Sequence, residues 1–248
     1  MTVTEHLPPG RKQRPEIEFR AGEKALLIGR QPRVVGTLAS FPGNSPSLDH
    51  NITCDVVEVR LDQMPEEKDW LNQCNMIQRA GLPVILTVRH QSEGGKWAGP
   101  EDRRLDLYRQ ALAEVAAVDV EYKSAIAKQV AEAAKSLGKA AIISFHDFSQ
   151  TPPLAELKTV VAKAQVFAGM VKITTMTKKQ EDVHVLQQLL KEGCDVPLCV
   201  MGMGELGAQT RVSLARAGSC LVYGYLDKPM APGQLSAAEL VRQLRNVE

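Results

Sequence analysis

A lysine stands inside an apolar run, Gly169-Met170-Val171-Lys172-Ile173-Thr174, where a strand has no structural use for an amine. Burying an ammonium costs several kcal/mol unless it is paired or loses its proton. The gap between an ordinary lysine pKa of about 10.4 and pH 7 is ~3.4 units, or roughly 4.6 kcal/mol. Desolvation and neighbouring cations can supply that. The resulting amine condenses with a ketone or aldehyde, and the iminium draws electrons from the adjacent carbon and acidifies its C–H bond. The plain structural alternative is a lysine that snorkels from a strand end.

Other polar residues punctuate apolar runs in the same way. Glu58 and Arg60 share one face of Val57-Glu58-Val59-Arg60-Leu61, because strand side chains alternate with period two. Arg89 closes Val84-Ile85-Leu86-Thr87-Val88-Arg89, and Glu93 follows in Glu93-Gly94-Gly95. His146 ends Ile142-Ile143-Ser144-Phe145-His146, Arg211 lies just past the glycine-rich Gly202 to Gly207, and Gln234 sits in Ala231-Pro232-Gly233-Gln234. Each has a structural alternative: Glu58 with Arg60 as an ion pair, His146 as a satisfied core residue, His90, Lys178 and Lys179 as solvated loop positions. Asp119 and Glu121 read as structural hydrogen-bond acceptors and are left out of the candidate site. The glycines of residues 202–207 are a weak phosphate-binding signal on their own.

The elements that must carry these residues follow from periodicity. Short Val/Ile-rich runs alternate with segments of helical period, which is the pattern of repeated β-α units and a parallel sheet. Eight strands are predicted, at residues 33–38, 55–61, 83–89, 117–121, 140–146, 169–174, 197–201 and 219–223. Ser124 and Gly138 cap and stop one helix, and Ser236 with Glu239 has capping-box spacing for the last. Eight units in 248 residues predict an α/β (β/α)8 TIM barrel. No G-x-G-x-x-G follows the first strand, so a dinucleotide fold is not expected. Residues 17–20 and 25–28 predict a β-hairpin that closes the bottom of the barrel. Residues 1–16, polar with three prolines, read as a tail, and 17–248 as one catalytic domain.

In such barrels the site lies at the carboxyl ends of the strands. Ionisable groups from several strand ends, three of them arginines, then converge on one mouth, which stability does not require. His146, with an ordinary pKa near 6.5, suits removal of the acidified proton. Glu93 can fix its tautomer, and the arginines suit a carboxylate and hydroxyls. A polyhydroxylated keto acid fits. Elimination of water, aldol cleavage and isomerisation all remain open from this constellation.

Composition excludes other classes. A formal net charge of +1 gives no basic field for nucleic acid, and no apolar run approaches the ~20 residues of a membrane helix. Five cysteines without a CxxC pair suggest neither disulfides nor zinc, but reduced thiols in the cytoplasm. No secretory signal is present at the N-terminus.

Glu58-Val59-Arg60, Arg89 with Glu93-Gly94-Gly95, Phe145-His146-Asp147-Phe148, Val171-Lys172-Ile173 and Ala231-Pro232-Gly233-Gln234, in this order, resemble the type I 3-dehydroquinate dehydratases. The resemblance spans residues 17–248. It implies a (β/α)8 fold, a Schiff base, no metal or organic cofactor, a homodimer, and conversion of 3-dehydroquinate to 3-dehydroshikimate in the shikimate pathway. It makes Lys172 the imine lysine, His146 the general acid/base and Glu93 its orienting carboxylate. Thr37, Glu58, Arg60, Arg89, Arg211 and Gln234 match substrate-binding positions, as does Met230, which stands where the family usually carries serine. A thioether cannot donate a hydrogen bond. The rivals are a class I aldolase, which would hold a phosphorylated sugar, and a non-catalytic sensor of quinate-like ligands, which would have lost Lys172 or His146. With the last residue at Glu248, no fused shikimate dehydrogenase is expected.

Overall fold

The computed structural model describes residues 14–41, 53–64, 67–229 and 234–245. A two-stranded antiparallel hairpin comes first, β1 (Ile17–Ala21) and β2 (Lys24–Ile28), turning through Gly22 at φ 60°. Eight parallel strands follow: β3 (Arg33–Leu38), β4 (Val56–Arg60), β5 (Val84–Thr87), β6 (Ala117–Glu121), β7 (Ala140–Asp147), β8 (Met170–Met176), β9 (Leu198–Met203) and β10 (Leu221–Tyr225). All eight lie within a few residues of the predicted positions. The described helices are α1 (Trp70–Arg79), α2 (Glu101–Leu112), α3 (Ala127–Ser136), α4 (Leu154–Ala164), α5 (Gln180–Glu192), α6 (Gly204–Gln209), α7 (Arg211–Ala217) and α8 (Ala237–Arg245). The Ser236 hydroxyl accepts from the Glu239 N–H at 3.1 Å, and Gly138 at φ 64° stops α3, as their spacing predicts. The connection from β3 to β4 runs through residues 42–52, outside the described ones.

The sheet order is β10-β3-β4-β5-β6-β7-β8-β9. Its two ends meet where the Cys220 N–H donates to the Leu198 carbonyl at 3.0 Å and the Cys199 thiol to that of Leu221 at 3.3 Å. A strand in such a barrel is covered on both faces, which is why the strands read as nearly continuous apolar runs. Val57, Val59, Leu86, Ile143, Val171, Ile173 and Val200 face outward and pack with Tyr108, Leu112, Val130, Leu157, Leu186 and Leu240 of the helices.

Inward positions near the strand starts form a second cluster: Val35, Val56, Ile85, Ala117, Ala140, Ile142, Met170, Cys199, Cys220 and Leu221. Phe19 and Ile28, both fully buried, extend this cluster from the hairpin, so the hairpin closes the amino end. Gln78 of α1 ties it down, donating to the Arg20 carbonyl at 3.1 Å and accepting from the Val84 N–H at 2.7 Å. Four of the five cysteines are buried.

Candidate active site

Two residues further along the same inward face, polar groups replace apolar ones. Lys172 follows Met170, Glu58 follows Val56, Thr87 follows Ile85, Asp119 follows Ala117, and Ser144 follows Ile142. His146 and Thr174, partners in the β7–β8 register, lie one step higher. Above them opens a cavity of about 560 Å³, a size suited to a small molecule. Thr37, Glu58, Arg60, Arg89, Glu93, His146, Lys172, Arg211 and Gln234 all line it. Met230 falls outside the described residues.

Lys172 is 4% exposed. Its Nζ donates to Asp119 Oδ2 at 2.9 Å, stands 3.9 Å from Glu58 Oε1, and lies 4.1 Å from the centre of the Tyr223 ring. Beside the burial and neighbouring cations that disfavour the ammonium, the structure places an anion, the Asp119 carboxylate, against Nζ. Burial alone would raise the Asp119 carboxyl, but Arg89 and Lys172 outweigh it and hold it well below the usual range.

Glu93 Oε2 accepts from the His146 main-chain N–H at 3.0 Å and lies 2.9 Å from Nδ1. That contact turns Nε2 away from Glu93. Burial lowers His146 well below its ordinary value, and Arg89 and Lys172 push the same way, so the ring is neutral at neutral pH. Burial raises Glu93 to about 7 against the pull of Arg89. The turn bearing Glu93, residues 91–93, ends at Gly94 with φ 76°, and a Cβ on Gly95 would strike the Arg89 backbone. Each glycine of that pair is thus required, one for conformation and one for close approach.

The three arginines differ. Arg89 is consumed by the protein, with Nη2 to Asp119 at 2.6 Å, Nη1 to Ser144 at 2.8 Å and Nη1 to Glu121 at 3.2 Å. Arg60 is bidentate to Asp62, 2.9 Å at both contacts, and not paired with Glu58 as the bland sequence reading had it. Asp62 also accepts the N–H groups of Arg89 and Lys96, both at 3.1 Å, so it locks two neighbouring loops. Arg211 has no carboxylate partner among the described residues; it donates to the Tyr223 carbonyl at 3.2 Å and touches Met201 Sδ at 3.0 Å. A partly buried guanidinium without an anion is a receptor for one. Glu58 accepts from the hydroxyls of Thr37 at 3.0 Å and Thr87 at 2.9 Å.

Sequence reasoning placed Asp119 outside the site, yet it touches Nζ. Its alternation with Glu121 on one strand was the available signal, the same one that marked Glu58 and Arg60. Thr174 and Tyr223 were missed too: both hydroxyls are buried on the cavity wall without a hydrogen-bond partner in the described structure. Lys178 and Lys179 are exposed, as expected. Residues 202–207, read as a glycine-rich loop, instead end β9 and start α6, and Gly202 packs directly on Gly207.

Residues 46–248 match the type I 3-dehydroquinase family. The 3-dehydroquinate dehydratase of Methanothrix thermoacetophila is 34% identical over 218 residues, covering 87% of this chain and 92% of that one. Among solved structures, the 3-dehydroquinate dehydratase of Enterococcus faecalis superposes with a TM-score of 0.77 at 27% identity, over 93% of this chain and 99% of that one. The type I enzyme of Clostridium difficile, solved with covalently modified comenic acid, has a TM-score of 0.81 over 94% and 98% at 24% identity, a likeness of fold.

Proposed function

The chain belongs to the type I 3-dehydroquinase family, and from that premise we propose how its own residues dehydrate 3-dehydroquinate to 3-dehydroshikimate. The observation that carries the assignment is the pairing of Lys172 and His146 on adjacent strands, both facing one small cavity. Lys172 Nζ attacks the C3 carbonyl and, with loss of water, forms the iminium. His146 Nε2 takes a proton from C2, and the C–H electron pair moves toward the iminium to give an enamine. The enamine pair returns to form the C1–C2 double bond as the C1 hydroxyl leaves, protonated by His146. Hydrolysis of the product iminium frees Lys172.

The neutral state of His146 supports its role as base, and Glu93 supports it by fixing the ring. Arg211 holds the substrate carboxylate. The hydroxyls of Thr174 and Tyr223 suit a polyhydroxylated ring, because unpaired buried polar groups are costly until a ligand satisfies them; Thr37, Glu58, Arg60 and Gln234 line the same cavity and add polar contacts. Arg89 lines the cavity and acts on the substrate chiefly through its charge, since three of its contacts are held by Ser144, Glu121 and Asp119. Residues 17–248 act as one catalytic domain, in the cytoplasm and as a homodimer, a state that light scattering tests directly. None of the described helices is long and apolar enough to cross a membrane.

The deciding experiment is intact-mass analysis after borohydride reduction in the presence of 3-dehydroquinate. One ligand per chain is expected, mapping to Lys172, and none on Lys172→Ala. An adduct on Lys178 or Lys179, or uptake by the mutant, refutes the assignment.

A further inference from the structure

Six charged side chains run from α2 to Lys172 in unbroken alternation. Glu101 Oε2 meets Arg104 Nη2 at 2.8 Å, and Arg104 Nη1 meets Glu121 Oε2 at 2.8 Å. Glu121 Oε1 meets Arg89 Nη1 at 3.2 Å, Arg89 Nη2 meets Asp119 Oδ1 at 2.6 Å, and Asp119 Oδ2 meets Lys172 Nζ at 2.9 Å. Asp119 is fully buried, and the Ser144 hydroxyl gives it a further hydrogen bond at 2.6 Å. Such a chain fixes the carboxylate on both sides: it cannot swing away from Nζ without also breaking its 2.6 Å contact with Arg89 Nη2 in the interior.

We propose that Asp119 is a catalytic residue of this site, aiming Lys172 Nζ into the cavity and staying beside the nitrogen as the counterion of the iminium; this rests on reading Lys172 as the imine lysine. The charge balance favours a fixed anion there. Overall, the ammonium and a ketone give an iminium and water, so the nitrogen is cationic at both ends of the step. Between them Nζ loses one proton to His146 and bonds to the carbonyl carbon as the π pair moves to oxygen. A second proton passes from nitrogen to that oxygen, and His146 returns the first as water departs. Both hydrogens of the water come from Nζ, and Asp119 takes neither. A carboxylate that remains ionised beside an ammonium, as this one does, can orient it without accepting its proton.

The other groups facing Lys172 are weaker candidates for this task. Glu58 on β4 is 3.9 Å away and already accepts two hydroxyls. The Tyr223 ring on β10 is uncharged, and burial raises the Cys199 thiol on β9 to about 11, leaving it neutral. Arg89, just past the end of β5, is a cation, and His146 on β7 is neutral.

The test is the pH dependence of kcat/KM and of borohydride trapping with 3-dehydroquinate in Asp119→Asn, Asp119→Glu and Ser144→Ala. Removing the anion disfavours the ammonium, so in Asp119→Asn the limb belonging to Lys172 moves about one to three pH units to acid. The iminium is disfavoured equally, so kcat falls at least about tenfold and less adduct is trapped above neutral pH. Ser144→Ala keeps the charge and leaves the limb in place. A folded Asp119→Asn protein with the wild-type limb, or an equal displacement in Ser144→Ala, overturns the proposal. Should circular dichroism show Asp119→Asn unfolded, Asp119→Glu decides: it retains the limb and loses kcat about tenfold if aiming matters, and an undiminished kcat overturns the proposal. Failure of the wild-type protein to trap any adduct instead overturns the reading of Lys172 itself.

Discussion

The two ends of the barrel interior use the same alternating strand positions for opposite purposes. At the amino end they hold Val56, Ile85, Ala117, Ile142 and Met170, sealed by Phe19 and Ile28 of the hairpin. One step along the same strands they hold Glu58, Thr87, Asp119, Ser144 and Lys172. An apolar layer needs only volume and shape, whereas a buried charged layer holds together only while each member keeps its partner. Adhesion is therefore concentrated at the closed end, and the open end is organised around charge.

The sharpest break of this contrast is Lys172→Met, for which turnover is expected to vanish while the protein still folds, because Asp119 keeps Arg89 and Ser144 as partners. A calorimetric scan beside the activity assay checks both halves. His146→Ala removes the proposed general acid/base and is expected to lower kcat by about 10² to 10⁴ while still permitting an adduct under borohydride; an unchanged kcat returns it to a packing role. At the closed end, Phe19→Ala is expected to cost about 3 to 5 kcal/mol in denaturant unfolding with kcat per folded molecule unaltered. Arg211→Ala removes charge-assisted hydrogen bonds worth roughly 1.5 to 3 kcal/mol. Its KM is accordingly expected to rise about tenfold to a hundredfold, with a lesser change in kcat.

The smallest effect concerns pH. Burial raises Glu93 to about 7, so with falling pH the carboxylate takes up a proton and ceases to hold the Nδ1–H of His146. Activity is expected to fall on the acid side of neutrality, with an apparent value belonging to the Glu93–His146 pair. Glu93→Gln, which cannot titrate, should flatten that limb and lower the plateau less than His146→Ala does. A limb that persists in this variant belongs to another group.

The barrel was legible because strands buried on both faces and helices buried on one have distinct periods, and those periods are written in residue types. Lys172, Glu58 and His146 stood out as polar breaks in apolar runs. Asp119 and Glu121 broke their run just as visibly, but a carboxylate on a strand does not reveal what it faces across the barrel. Only the stagger of β5, β6 and β8 brings Arg89 and Lys172 onto the same carboxylate. The different fates of the arginines were hidden for the same reason. Arg60 is claimed by Asp62, two residues on, and Arg89 by partners on two other strands, while among the described residues Arg211 meets a carbonyl and a thioether. Such competition is decided in space.

The seam where the barrel closes carries its own chemical reporter. Cys199 and Cys220 lie on either side of the junction of β9 and β10, both walled off, and burial raises both thiols, Cys199 to about 11. Alkylating reagents attack the thiolate, so neither sulfur reacts while the seam is shut. Cys194, less deeply placed, marks the fast phase of any labelling experiment. Cys199 and Cys220 would follow only as often as the staves part, and mass spectrometry of the labelled peptides would time that parting without a single engineered probe.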